Sequence, residues 1–138
     1  MATLKISELS VGDWVRWKVY DKTYDVQVTG VTDRRIYGLH DGIEYSMLLT
    51  QIYPIPITVE ILEKNGFARG SRGGFYHYLL LDKNRTLYIH ASTNGWRGEI
   101  TYDAAGILRT THLMPDMNSV HDIQHALRLA GLDKEINL

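Results

Sequence analysis

The sequence predicts an α+β fold, in which two β-rich segments are each followed by one helix. Three observations support this class. Short runs of alternating apolar and polar residues fill two stretches of the chain, turn-forming pairs separate those runs, and two segments with helical spacing follow them. Because the runs follow one another through short turns, we expect antiparallel sheets in both halves.

Residues 1–52 predict a small SH3-like β-barrel or curled meander, opened by "LSVGDWV". From Trp14 to Tyr20 every second residue is apolar and faces one way, namely Val15, Trp17 and Val19. Trp14 and Trp17 thus lie on opposite faces, one in the core and the other as an exposed aromatic, which in SH3-like barrels often marks a ligand groove. We predict turns at Asp21-Lys22 and at Asp41-Gly42, since glycine accepts the positive φ of a type I′ turn.

A short helix is predicted at the start of the second subdomain, residues 53–138. The prolines of "YPIPIT" exclude a central strand or a helix interior, because proline fixes φ and lacks an N–H. Thr58 is the predicted N-cap of the helix "VEILEKNGF", and Asn65-Gly66 is its left-handed end. We expect the two subdomains to form one compact unit.

The rest of the chain predicts about four antiparallel strands and a closing helix. In "GFYHYLLLD" one face carries Phe75, His77, Leu79 and Leu81, and the other carries Tyr76, Tyr78 and Leu80. Turns are expected at Asp82–Asn84, Asn94-Gly95 and Ala104–Gly106, and Pro115 is expected to stop the last strand. The closing helix, "SVHDIQHALRLAG", has Ser119 as N-cap and a buried face made of Val120, Ile123, Leu127 and Ala130.

Composition and charge exclude several classes of function. The chain has 138 residues, no cysteine and a formal net charge of −1. Disulfides, thiolate nucleophiles and Cys-based zinc sites are therefore absent, and no overall basic field attracts nucleic acid or an anionic membrane. The N-terminus lacks the apolar core of a signal peptide, and no run reaches the roughly 18 apolar residues of a membrane span. We expect a cytoplasmic protein with no membrane partner and no cofactor.

Three stretches carry a family resemblance: "LSVGDWV", "PIPITVEILEKNGF", and "VHDIQHALRLAG" followed by "LDKEINL". Together they resemble a family of small uncharacterised proteins encoded by phages and prophages of Bacteroides-type gut bacteria. Asp13 stands where that family usually has asparagine, and Ile57 and Ile123 stand where it has leucine. The resemblance implies a phage-linked setting in the cytoplasm of the bacterial host and brings no catalytic activity with it.

The closing helix also raises the question of a metal site. His121 and His125 stand four residues apart beside Asp122, a spacing like that of HExxH zinc enzymes. On a helical wheel both histidines fall opposite the apolar face with Arg128 between them, and a cation beside Zn²⁺ is unfavourable. Ser119 as N-cap, with Asp122 completing a loose capping box, is the favoured interpretation. A metal bound by His121 and His125 is the alternative.

The remaining histidines stand at scattered strand positions. His77 and His90 fall on runs that are expected to pair, which would let the two rings approach each other. No nucleophile elbow, phosphate-binding loop or dinucleotide fingerprint occurs in the sequence.

The most distinctive loop is "NGFARGSRGGFYHY". Its glycines can turn backbone N–H groups toward an anion, arginine contacts phosphate through two N–H groups, and tyrosine stacks on a base. The candidate ligand-binding residues are Arg69, Ser71, Arg72, Tyr76 and Tyr78. A solvated connection between a helix and a strand is the structural alternative.

The function predicted from these features is a non-enzymatic binding module, a phage accessory protein. Its ligand would be a host protein, a nucleotide-like anion or nucleic acid, and no catalytic residue is assigned. One alternative is a small His-dependent hydrolase or nuclease, with or without a metal. The other is a structural or virion-assembly component, for which self-association into a homo-oligomer is expected.

Overall fold

In the computed structural model of this chain, the described residues are 4–70, 76–92, 95–104, 108–132 and 134–138. Two α-helices are described, α1 (Val59–Lys64) and α2 (Val120–Leu129), with 3-10 turns at Ile6–Glu8 and Leu49–Gln51. The strands are β1 (Trp14–Val19), β2 (Lys22–Val31), β3 (Arg35–His40), β4 (Ile43–Leu48), β5 (Ile52–Pro54), β6 (Ala68–Arg69), β7 (Tyr76–Leu80), β8 (Arg85–Ser92), β9 (Gly95–Ala104) and β10 (Leu108–Asp116). The protein is thus α+β, as predicted.

The chain divides into two compact units with one sheet each. The first unit comprises Met1–Pro56 and Ser119–Gln124, and the second comprises Ile57–Asn118 and His125–Leu138. Helix α2 therefore gives its first residues to one unit and its remaining residues to the other. No helix within the described ranges is long and apolar enough to cross a membrane.

The first unit holds an antiparallel sheet with the strand order β4-β3-β2-β1-β5. The sheet is open, because its outer strands β4 and β5 are not hydrogen-bonded to each other. Of the two predicted forms, the barrel is therefore wrong, and β1 to β4 form the antiparallel meander. The predicted alternation is confirmed, because Val15 and Val26 face each other in the register and are fully buried. Trp17 packs on this core, and Trp14 lies on the other face of β1.

The two hairpin turns of this sheet differ from each other. Asp41 and Gly42 have φ angles of 50° and 77°, which confirms the predicted type I′ geometry. The β1–β2 turn lies at Tyr20-Asp21, one residue before the predicted position, since Val19 pairs with Lys22. Tyr20 is fully exposed with φ 56°, a left-handed conformation that is unfavourable for an aromatic L-residue.

We expect Tyr20→Asn to raise the free energy of unfolding by about 0.5–1 kcal/mol. The left-handed region costs an ordinary L-residue roughly 1–2 kcal/mol, and asparagine is among the residues that tolerate it. No packing is lost, because the side chain is fully exposed. Urea denaturation measures the change, and Tyr20→Val, whose branched side chain suits this conformation less, should lower stability. Loss of stability in Tyr20→Asn would contradict this account of the turn.

The second unit holds an antiparallel sheet with the strand order β10-β9-β8-β7-β6. Its buried face carries His77 from β7, Leu87 and Ile89 from β8, and Ile100 from β9. Strand β10 continues through Pro115 to Asp116 with a register shift, so the prediction that Pro115 stops this strand is wrong. An edge strand tolerates proline because one side of it needs no N–H donor.

Both helices begin as predicted. The Thr58 Oγ accepts a hydrogen bond from the Ile61 N–H at 3.2 Å, and Gly66 follows the helix with φ 88°. Helix α2 starts directly after Ser119. Its predicted apolar face is buried, with 0% exposure for Val120 and Ile123.

Candidate ligand-binding face of the second sheet

Four rings form a contiguous surface on the second sheet, which we call the four-ring patch: Tyr76, Tyr78, Tyr88 and His90. Strands β7 and β8 pair Tyr76 with His90 and Tyr78 with Tyr88, so the four side chains occupy one face in two facing pairs. Neighbouring ring centroids lie 5.7 to 6.4 Å apart, and Tyr88 is stacked on His90. Such spacings allow aromatic rings to stabilise one another.

The four-ring patch faces away from the core of its unit. The residues between its members in sequence, His77 on β7 and Ile89 on β8, face each other across the register on the opposite side, where both are buried. The three tyrosines are half-buried, and the His90 side chain is 41% exposed. Apolar burial on one face therefore fixes the outward direction of the rings on the other.

The ring of Tyr76 packs directly against the backbone of Gly70. A Cβ placed on Gly70 would lie 2.0 Å from Cζ of Tyr76, which shows that the tyrosine ring lies directly against the glycine. The Gly70 N–H also donates to the Tyr76 carbonyl at 3.0 Å. Any larger residue at position 70 would displace this ring, so the glycine contributes to the shape of the patch.

Strand β9 places two charged residues beside the rings. Glu99 faces Tyr88 and Arg97 faces His90 in the register, and Arg97 is exposed. The Glu99 Oε2 lies 3.4 Å from the His90 Nε2, and this nitrogen is covered and makes no hydrogen bond. Among the described residues, β9 thus contributes one cation and one anion to the border of the patch.

Arg69, predicted for the same site as Tyr76 and Tyr78, lies on the opposite face. It pairs with His77 across β6 and β7, and its guanidinium is 3.6 Å from Oε1 of Glu63. The same Glu63 oxygen is 3.5 Å from the buried Nε2 of His77. The structure therefore brings Tyr76 and Tyr78 together and places Arg69 with Glu63. Ser71 and Arg72 lie outside the described residues.

The two histidines of α2, His121 and His125, are buried and half-buried respectively. His121 is only 3% exposed, so the prediction that it faces outward is wrong. Its Nδ1 lies 3.0 Å from the Oγ of Ser119, which in turn donates to Asp122 Oδ2 at 2.9 Å. Ser119 is 3% exposed, and its N–H donates to Asp122 Oδ2 at 3.2 Å, which is one half of the predicted capping box at the start of the helix. His125 is half-buried.

The buried face of α2 is wider than its apolar stripe, because polar side chains on this face are hydrogen-bonded. Gln124 is 6% exposed; its Oε1 accepts from the Trp14 N–H at 2.8 Å, and its Nε2 donates to the Gly12 carbonyl at 2.8 Å. Within the described ranges no three histidine, aspartate or glutamate side chains are grouped as metal ligands.

Tyr88 and His90 are the members of the patch that sequence reasoning missed. The signal was present, since "LYIH" alternates in the same way as "YHYLL". His77 and His90, expected to approach each other, do lie on paired strands, but they point to opposite faces of the sheet.

Comparisons of this chain with protein families, curated proteins and solved structures find no match. The function must therefore be inferred from the chemistry of the described residues.

Proposed function

We propose that this protein is a non-enzymatic binding module whose four-ring patch stacks on unpaired bases of single-stranded nucleic acid. The observation that carries the proposal is the contiguous, outward placement of Tyr76, Tyr78, Tyr88 and His90 on two neighbouring strands. Sheets that recognise single-stranded RNA commonly present aromatic side chains on adjacent strands in this way.

The chemistry of the rings favours bases over other ligands. Every nucleobase has a flat aromatic face, and stacking on an aromatic side chain contributes roughly 1–3 kcal/mol per base. Tyrosine suits this role because its ring loses little conformational freedom on binding. Contacts among the four rings and the packing of Tyr76 on Gly70 hold the rings in place before a ligand arrives, which reduces the entropic cost of binding.

The charges near the four-ring patch determine how strongly the binding of nucleic acid should depend on salt concentration. Among the described residues beside the patch, Arg97 is an exposed cation at the position where a phosphate would lie, whereas the Glu99 carboxylate would repel a second phosphate near His90. The net charge of −1 adds no long-range attraction. We expect a slope of about −0.7 for log K against log salt concentration, the value for one phosphate contact on a single strand.

The phage-linked setting remains part of this proposal. Its support is the resemblance of "LSVGDWV", "PIPITVEILEKNGF" and "VHDIQHALRLAG", which here form an N-terminal turn and two capped helices. These segments stabilise the fold, and the four-ring patch lies outside them. Neighbouring genes for replication or for single-strand processing would support the nucleic-acid assignment.

Tyr88→Ala is expected to weaken binding of a fluorescent oligonucleotide of about 12 nucleotides by roughly 5- to 150-fold, equivalent to the loss of one stacked base. Tyr88 is chosen because its ring contacts the other three. Fluorescence anisotropy measures the dissociation constant, with deoxythymidine and uridine oligomers as separate arms to distinguish DNA from RNA.

Two variants are matched controls for this experiment. Tyr88→Phe keeps the ring and should bind within about twofold of the wild type, and Tyr20→Ala removes a fully exposed tyrosine from the first unit. Wild-type affinity in Tyr88→Ala, or no binding of either oligomer by the wild type, would refute the proposed function.

A further inference from the structure

The four sheet edges among the described residues differ in how well they are protected against pairing with another chain. Strand β5 has three residues and ends in Pro54, β6 has two residues, and β10 contains Pro115 and a register shift. Short length, proline and bulges are the devices that keep sheet edges from pairing with other chains. Among the described edges, β4 is the one with none of these three features, and of charged side chains, a further such device, it carries only Glu44.

Strand β4 is regular and open to pairing. Its six residues, Ile43–Leu48, pair without interruption with β3, and it contains no proline, lysine or arginine. Ile43 is 57% exposed and Leu48 is 42% exposed, and within the described residues β3 is the one strand that pairs with β4. Leu39, which lies on β3 opposite Glu44, adds a further exposed apolar side chain at 39% exposure.

We infer that β4 pairs antiparallel with β4 of a second copy of this chain, joining the two first-unit sheets into one continuous sheet. In an antiparallel pair, residues directly opposite each other point to the same face of the sheet. If two copies pair through a two-fold axis and their buried faces lie on the same side, one residue of β4 must therefore lie opposite the same residue of the second copy. The Tyr45 ring already packs on Trp17 at 5.3 Å, whereas Ser46 is small and exposed. Ser46 is therefore the centre of the pairing.

The charges of β4 fit this self-pairing. Glu44 is the only charged residue of the strand, and in the Ser46-centred register it lies opposite Leu48 of the second copy rather than opposite its own symmetry mate. No like charges face each other. The side chains that line the outer face of the new contact are Glu44, Ser46 and Leu48, all exposed in the single chain.

Sedimentation equilibrium of the full chain tests the inference. The wild type is expected to form dimers, and Ser46→Glu should weaken dimerisation by roughly fivefold or more, because it sets two carboxylates opposite each other and near both copies of Glu44. Thr29→Glu, a change of another exposed residue on the interior strand β2, should leave the dimer unaffected.

A mixture of Ser46→Glu with Ser46→Lys should restore dimers, since opposite charges then face each other. This restoration separates a lost contact from a misfolded variant. The chain has no cysteine, so a spin label on Ser46→Cys adds an independent measure: a short distance between the two labels of a dimer is expected. A wild type that is monomeric up to about 1 mM would overturn the inference. In that case the partner of β4 would be a strand of another protein. Dimers that are as tight in Ser46→Glu as in the wild type would overturn it as well.

Discussion

Asn65→Ala is expected to lower the free energy of unfolding by about 2–4 kcal/mol, because it removes three hydrogen bonds of a buried amide. Asn65 is 5% exposed, and its amide holds the C-terminal segment to the end of α1. Its Nδ2 donates to the Ile61 and Asn137 carbonyls at 2.8 and 2.7 Å, and its Oδ1 accepts from the Asn137 N–H at 2.7 Å. Alanine would remove both bonds to the Asn137 backbone, whereas the Ile61 carbonyl would keep its bond from the backbone N–H of residue 65.

Urea denaturation measures the loss, and amide hydrogen exchange at Asn137 locates it. Asn65→Asp keeps the acceptor for the Asn137 N–H but sets a buried carboxylate oxygen against two carbonyl oxygens, so a loss at least as large as that of Asn65→Ala is expected. Asn84→Ala, a change of the same type at an exposed turn position, should alter stability by less than about 0.5 kcal/mol. If Asn65→Ala also changes the free energy of unfolding by less than about 0.5 kcal/mol, the Asn65 amide does not hold the C-terminal segment in place.

Ile89→Ala is expected to destabilise the protein by about 2–5 kcal/mol, because it opens a cavity in the buried face directly beneath the four-ring patch. Ile89 is 0% exposed and lies opposite His77 and Gly98 in the register. The neighbouring substitution Tyr88→Ala removes a larger side chain from the outer face and should cost less stability, while it costs more binding.

Thermal and urea unfolding of Ile89→Ala, Ile89→Val and Tyr88→Ala measure this contrast. Ile89→Val deletes one methyl group and should cost about 0.5–1.5 kcal/mol. Equal losses of stability in Ile89→Ala and Tyr88→Ala would contradict the assignment of the two residues to opposite faces of the sheet.

Local patterns in the sequence predicted the elements of the fold well. Alternation assigned Tyr76 and Tyr78 to one face of β7 and His77 to the other. The residues directly before both helices, Thr58 and Ser119, were identified from the apolar runs that they precede. These features depend on a few neighbouring residues, which is why the sequence alone contains them.

Features that depend on distant partners could not be predicted in the same way. His121 was expected at the surface, but its contact with Ser119 allows its burial. Gln124, which the apolar pattern did not assign to either face, is buried because the backbone of residues 12 and 14 satisfies its amide. Pro115 continues a strand because β10 lies at a sheet edge, and strand order is not encoded locally.

The candidate site was predicted only in part for the same reason. Tyr76 and Tyr78 were assigned from their own strand, whereas Tyr88 and His90 join them only through the β7–β8 register. Arg69 was grouped with the tyrosines because it is close to them in sequence. Pairing with His77 places it on the other face, beside Glu63.

Intermolecular nuclear Overhauser effects between an oligonucleotide and the assigned aromatic side chains test the four-ring patch most directly. We predict contacts from base protons to the rings of Tyr76, Tyr78, Tyr88 and His90, and none to His77 on the buried face of the same sheet. Base contacts confined to the first unit, or no contacts to these four rings at saturating oligonucleotide, would contradict the patch as the binding surface.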